Sequence, residues 1–116
     1  MAGPRVTLHA AGSVMLDGIG AGQIALGPGS SAGPPIWHVT GVIVQTDRPG
    51  TAPIPRIQFY RDEVIPENSL GLSYDGSFGQ GSADETLTRG QLLIASWTGG
   101  QAGDRATFVV TGEKWA

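Results

Sequence analysis

Cysteine is absent from the 116-residue chain. That excludes disulfides, thiolate metal sites and a cysteine nucleophile, and leaves the redox compartment open. Charge is also scarce: Asp, Glu, Lys and Arg make up 15% of the residues and the net charge is −3. With a pI near 5.1 and no cluster of Lys or Arg, the chain lacks the electrostatic footprint needed to hold a nucleic-acid backbone, so nucleic acid is not an expected partner. Nowhere do about 18 apolar residues run together, so a membrane is not an expected partner either. The opening "MAGPRVTLHAAGSVML" lacks an uninterrupted apolar core, and no secretion signal is expected.

What is present is an apolar fraction of 40%, together with 19 glycines and 8 prolines. A chain of this length forms one domain and buries roughly 65% of the surface exposed when unfolded. Each interior Gly costs a helix about 1 kcal/mol and each Pro about 3. Because the two recur every few positions, no long helix is expected and the chain reads as all-β. Strands are expected at Arg5–His9, Ser13–Leu16, Gln23–Leu26, Ile36–Thr46, Arg56–Arg61, near Leu70–Tyr74, at Leu87–Thr88 with Gln91–Thr98, and at Arg105–Thr111. Their spacing suits a single antiparallel β-sandwich, jelly-roll-like, of about seven or eight strands. Residues 1–12 are a candidate extended N-terminal arm.

Period-two alternation assigns faces. In "RIQFYR", Ile57 and Phe59 oppose Gln58 and Tyr60; in "RATFVVT", Ala106, Phe108 and Val110 share a face opposite Thr107 and Thr111. "IWHVTGVIVQT" is apolar on both sides, with Trp37, Val39 and Ile43 on one face and Ile36, Val42 and Val44 on the other. Such a strand is either central or covered by a partner chain. "GPGSSAGPP" (27–35) and "DRPGTAPIP" (47–55) read as stiff Pro/Gly loops, because proline has no N–H to give a sheet. "YDGSFGQGSADE" (74–85) reads as a long, acidic, glycine-rich loop, a kind that is commonly functional or mobile. The glycines of "GGQAG" (99–103) read as a tight reversal making "LLIASWT" and "RATFVVT" a closing hairpin.

Chemical motifs are few. "GSSAG" places Ser31 at a G-x-S-x-G centre, yet Pro28 precedes it and Pro34 and Pro35 follow, so the strand-elbow-helix context of a nucleophile is missing. His9 and His38 could serve as general bases, but His38 reads as a sheet residue on the more polar face of its strand and His9 as the end of the first strand; this far apart and without a clustered carboxylate they are also a poor metal pair. "GIGAG" (18–22) and "GQGSADE" (79–85) lack the spacing of phosphate-binding loops and open no helix. Asp75, Asp84 and Glu85 could offer oxygen ligands to Ca²⁺, although not at EF-hand spacing. Solvated loop acids are the simpler reading. No enzyme activity and no cofactor is expected.

Trp37, Phe59, Trp97 and Phe108 lie in expected strands and read as core. Tyr60, Phe78 and Trp115 are harder to bury in one small domain, and exposed aromatics can anchor a subunit or stack on a sugar. Trp37, Val42, Val44, Tyr60, Phe78 and Trp115 are therefore the candidate interaction surface.

The stretches "LDGIGAGQIALGP", "WHVTGVIVQT", "RIQFYRDEVIPENSLGLSYDGSFGQGSADE" and "LTRGQLLIASWTGGQAGDRATFVVTGEKW" together resemble small β-rich virion proteins of tailed phages, especially those of actinobacteria. The likeness is one of turns and alternation and covers nearly the whole chain. It implies a non-enzymatic structural protein, made in the host cytoplasm and located in the virion, whose partners are its own copies and other virion proteins. On the tail or tail tip it would be a minor tail protein in a homo-oligomer; on the head it would be a capsid decoration protein bound to major capsid protein. An arm at residues 1–12 would favour the head, and a ring-forming interface the tail. A rival reading is a carbohydrate-binding module for host glycans, with Tyr60, Phe78 or Tyr74 as a stacking platform near Asp75 and Asp84.

Overall fold

Eight strands divide between two antiparallel four-stranded sheets in a computed structural model that describes residues 5–29, 34–47, 55–75 and 78–115. In chain order they are β1 (Val6–Met15), β2 (Gly22–Leu26), β3 (Ile36–Thr46), β4 (Arg56–Arg61), β5 (Ser69–Asp75), β6 (Phe78–Leu87), β7 (Leu93–Thr98) and β8 (Arg105–Trp115). A 3₁₀ turn, Pro66–Asn68, precedes β5. The sheet orders are β1-β8-β3-β6 and β2-β7-β4-β5. The pairings β1·β8, β2·β7, β3·β6 and β4·β5 nest like one long hairpin, and the pairs β3·β8 and β4·β7 join its two turns into a wrap. This is the eight-stranded jelly roll, the architecture the turn spacing predicted.

Alternation decides what is buried. Ile57 and Phe59 from β4, Leu93, Ala95 and Trp97 from β7, and Ala106, Phe108 and Val110 from β8 all face the space between the sheets. Phe59 is central to it, with its ring 5.7 Å from Phe108 of the other sheet and 5.8 Å edge-on from Tyr74. The one polar group of Trp97 is satisfied across the core, where its indole N–H donates to Thr46 Oγ1 at 3.2 Å. That leaves the full area of the largest buried side chain to stabilise the sandwich without an orphaned donor.

Four expectations need correcting. The two short strands Arg5–His9 and Ser13–Leu16 are one ten-residue strand, because backbone pairing with β8 runs unbroken from Val6 to Met15 through Ala10, Ala11 and Gly12. Those small residues pack little surface on a sheet. Second, the register of β3 against β8 shifts between Val39 and Gly41, so one extra residue, Thr40, enters β3 relative to β8. A bulge exchanges the faces beyond it. Val39 therefore shares the core with Val42 and Val44, and Ile43 turns outward.

Third, the supposed loop 74–85 is mostly strand: β5 runs to Asp75 and β6 begins at Phe78. Its glycines have a packing role, for the Tyr74 ring lies across them. A Cβ on Gly79 would fall 2.5 Å from Tyr74 Cγ, and one on Gly81 would fall 2.0 Å from the Tyr74 hydroxyl oxygen. Glycine inside a strand often marks such a close approach. Fourth, β7 and β8 are not a hairpin. They belong to different sheets, and the segment between them, with Gly99 and Gly103 at positive φ, carries the chain from one sheet to the other. A glycine-rich turn is needed in either case, so its composition cannot tell the two apart.

At the end of the sandwich near β4, Arg61 ties the sheets together. Its guanidinium meets Glu85 of β6 at 3.2 Å and donates to the Thr86 carbonyl at 2.8 Å and to Gln91 Oε1 at 3.1 Å.

Candidate functional site

The six residues expected to form an interaction surface do not share one. Val42 and Val44 are buried in the core, at 1% and 0% exposure, because the bulge at Thr40 turns both inward; they are removed from any surface. Trp37 is half-buried and packs against the same core. Tyr60 points outward from β4, on the outer face of the β2-β7-β4-β5 sheet. Phe78 opens β6 at the edge of the other sheet and is 57% exposed. Trp115 closes β8, half-buried, with the Arg5 guanidinium 4.5 Å above its ring and His38 edge-on at 6.4 Å.

The chemical candidates disperse in the same way. His38 Nε2 lies 2.7 Å from Asp84 Oδ1 on the outer face of the β1-β8-β3-β6 sheet, but among the described residues the pair makes no hydrogen bond to a serine or threonine hydroxyl. His9 is exposed within β1. Ser31 lies outside the described residues. Asp75, Asp84 and Glu85 face three directions, and each has its own basic partner: Arg56 at 3.1 Å, the His38 imidazole at 2.7 Å and Arg61 at 3.2 Å. Among the described residues no three His, Asp or Glu side chains converge as a metal site. Of the three alternative sugar platforms, Tyr74 is removed, since it is packed on Phe59 between the sheets, while Tyr60 and Phe78 sit on different sheets.

Two other surfaces emerge from the topology. One is the edge strand β1. Each of the other three edges carries a device that discourages pairing: β2 has five residues, β5 has a register break and ends on Asp75, and β6 has a register break and carries Asp84 and Glu85. β1 has none of these, being ten residues long, regularly paired on its inner side and without a carboxylate, Lys, Arg or Pro. Val6 and Met15 at its ends are 44% and 59% exposed. Among the described residues no strand pairs with the outer side of β1, and such an edge presents a row of backbone donors and acceptors to another strand.

The other is the outer face of the β2-β7-β4-β5 sheet. Gln23, Ser96, Gln58 and Ser73 stand directly opposite one another across its four strands. The adjacent outward row is Ala25, Ile94 and Tyr60, and Thr98, Arg56 and Asp75 follow on the other side. An open groove of about 360 Å³ lies on the β2 side of this face, lined by Asp17, Ala21, Gly22, Gln23, Ser96, Trp97 and Thr98. Asp17 is fixed there, its Oδ1 accepting the N–H groups of Ile19 and Ala21 at 3.0 Å each. Alternation in "RIQFYR" already placed Gln58 beside Tyr60. It could not reveal Gln23 and Ser96, which reach the same row only through strand pairing.

The chain matches no protein-family model, no curated protein and no solved structure. No helix among the described residues is long and apolar enough to cross a membrane.

Proposed function

We propose that the chain is a non-enzymatic structural protein of a tailed-phage virion, assembling as a homo-oligomer on the tail or tail tip. The observation that carries the reading is the undefended β1 edge of a jelly roll whose other three edges are protected. Two-sheet jelly rolls recur in viral capsid proteins, as they do in lectins and cupins, so the fold is compatible with the role without specifying it. Antiparallel pairing of two β1 strands centred near Ala11 would join two copies through one continuous sheet, a closed two-fold contact that a larger symmetric assembly can use as its building unit. The turn and strand pattern that resembles phage virion proteins supports the same reading. Val6–Gly12 are paired with β8 rather than extended away from the domain, which favours the tail over the head-surface alternative.

Light scattering coupled to size exclusion tests the interface. The wild-type chain is expected to run as an oligomer, and Ala11→Lys, which sets a charge in the edge, as a monomer with unchanged circular dichroism. Gold-labelled antibody against the chain should mark tails of intact particles. A wild-type monomer at high concentration, together with unlabelled particles, would remove the proposal.

A further inference from the structure

We infer that the outer face of the β2-β7-β4-β5 sheet is a binding site for a neutral oligosaccharide, read by Gln23, Gln58 and Ser96 with Tyr60 as the platform. The row Gln23, Ser96, Gln58, Ser73 spans three strand spacings, about 14 Å, and contains no charged residue. Amide and hydroxyl side chains each offer both a donor and an acceptor, the same combination that a sugar hydroxyl presents. Most of this capacity is unspent: among the described residues Gln23, Ser73 and Ser96 make no side-chain hydrogen bond, and Gln58 uses only Oε1, which accepts from the Tyr60 hydroxyl at 3.4 Å. Ser96 is 7% exposed, so its hydroxyl sits at the floor of the groove rather than at its rim.

The neighbouring row supplies the second half of the match. Ala25, Ile94 and Tyr60 form an apolar strip one pleat away from the polar row. A pyranose has the same division, hydroxyls around its edge and C–H groups on its face, and the face stacks on an aromatic ring. Charge argues for a neutral ligand. Asp17 stands on the groove and repels anions, and among the described residues the cation of this face is Arg56, held by Asp75 at 3.1 Å. Phosphate or sulfate groups would find no unopposed partner there.

The site lies on the opposite sheet from the β1 edge, so its test is independent of the assembly proposal. ¹⁵N-labelled chain is titrated with a panel of neutral oligosaccharides of glucose, galactose and N-acetylglucosamine, and with a sulfated oligosaccharide as the charged control. Saturable shifts of the Gln23, Gln58, Tyr60 and Ser96 amides are expected with at least one neutral member and none with the sulfated control. Gln23→Leu and Gln58→Leu, both on the outer face and away from the core, should each weaken binding about tenfold, the effect of one lost hydrogen bond in a shielded site. Ala11→Lys should bind as the wild type does. The proposal is overturned if no neutral member shifts these amides at millimolar concentration, or if the sulfated control binds equally. Wild-type affinity in both glutamine variants would also overturn it. So would shifts that follow protein concentration without sugar, which would make the face a contact between copies.

Discussion

The packing of Tyr74 over the glycines of β6 can be tested by a mutant cycle whose sign is set by a single oxygen atom. In an ordinary strand position Gly→Ala stabilises by roughly 0.5–1 kcal/mol, because the unfolded chain loses freedom. At Gly81 the added methyl would lie 2.0 Å from the Tyr74 hydroxyl oxygen but 3.3 Å from Cζ. Overpacking of that kind costs about 1–3 kcal/mol. Gly81→Ala should therefore destabilise the wild type by about 1–2 kcal/mol net, a fall of about 4–8 °C in Tm. In a Tyr74→Phe background the offending oxygen is gone and the same substitution should be neutral or slightly stabilising. The coupling between the two sites is then about 1–2 kcal/mol, within the range for residues in contact. Gly79 is the internal control. A methyl there meets Cγ, Cβ and Cδ1 of the ring at 2.5, 2.8 and 2.9 Å, atoms that Phe retains, so Gly79→Ala must destabilise in both backgrounds. Urea unfolding with unchanged m-values provides the measurement. If Gly81→Ala is harmless in the wild type, or if Tyr74→Phe rescues Gly79→Ala as well as it rescues Gly81→Ala, the ring does not lie where the structure places it.

Other consequences can be checked by the same unfolding assay. Thr46→Val keeps the volume but strands the Trp97 indole N–H in the core, and should cost about 1–3 kcal/mol; a loss under about 0.5 kcal/mol would mean that the 3.2 Å bond is not made. Phe59→Ala empties the contact between Phe108 and Tyr74 and should cost about 3–5 kcal/mol, with loss of the near-ultraviolet dichroism of the packed rings. Arg61→Ala removes three inter-element bonds while Glu85→Gln weakens only one, so the arginine variant should be clearly the less stable; equal effects would reduce Arg61 to a partner of Glu85 alone. Asp84→Ala should leave stability unchanged within error, because its partner His38 is met at a solvent-exposed carboxylate.

The local pattern of the chain was enough to settle its class. Frequent Gly and Pro ruled out helices, and alternation in "RIQFYR" and "RATFVVT" identified the inward faces of β4 and β8, with Phe59 and Phe108 in the core. These properties depend on a residue and its near neighbours, which a sequence displays directly. Partnership between strands depends on residues far apart in the chain, and there the tertiary structure decided. A one-residue bulge at Thr40 took Val42 and Val44 from the candidate surface into the core. Glycines that resembled a mobile loop proved to be the seat of Tyr74, because the ring that needs them arrives from the opposite sheet. "GGQAG" was rightly read as a turn, but composition has no means of distinguishing a reversal within one sheet from a crossing between two. The row of Gln23, Ser96, Gln58 and Ser73 is the extreme case: four polar residues from four separate strands, unremarkable singly, become one surface only when the jelly roll aligns them.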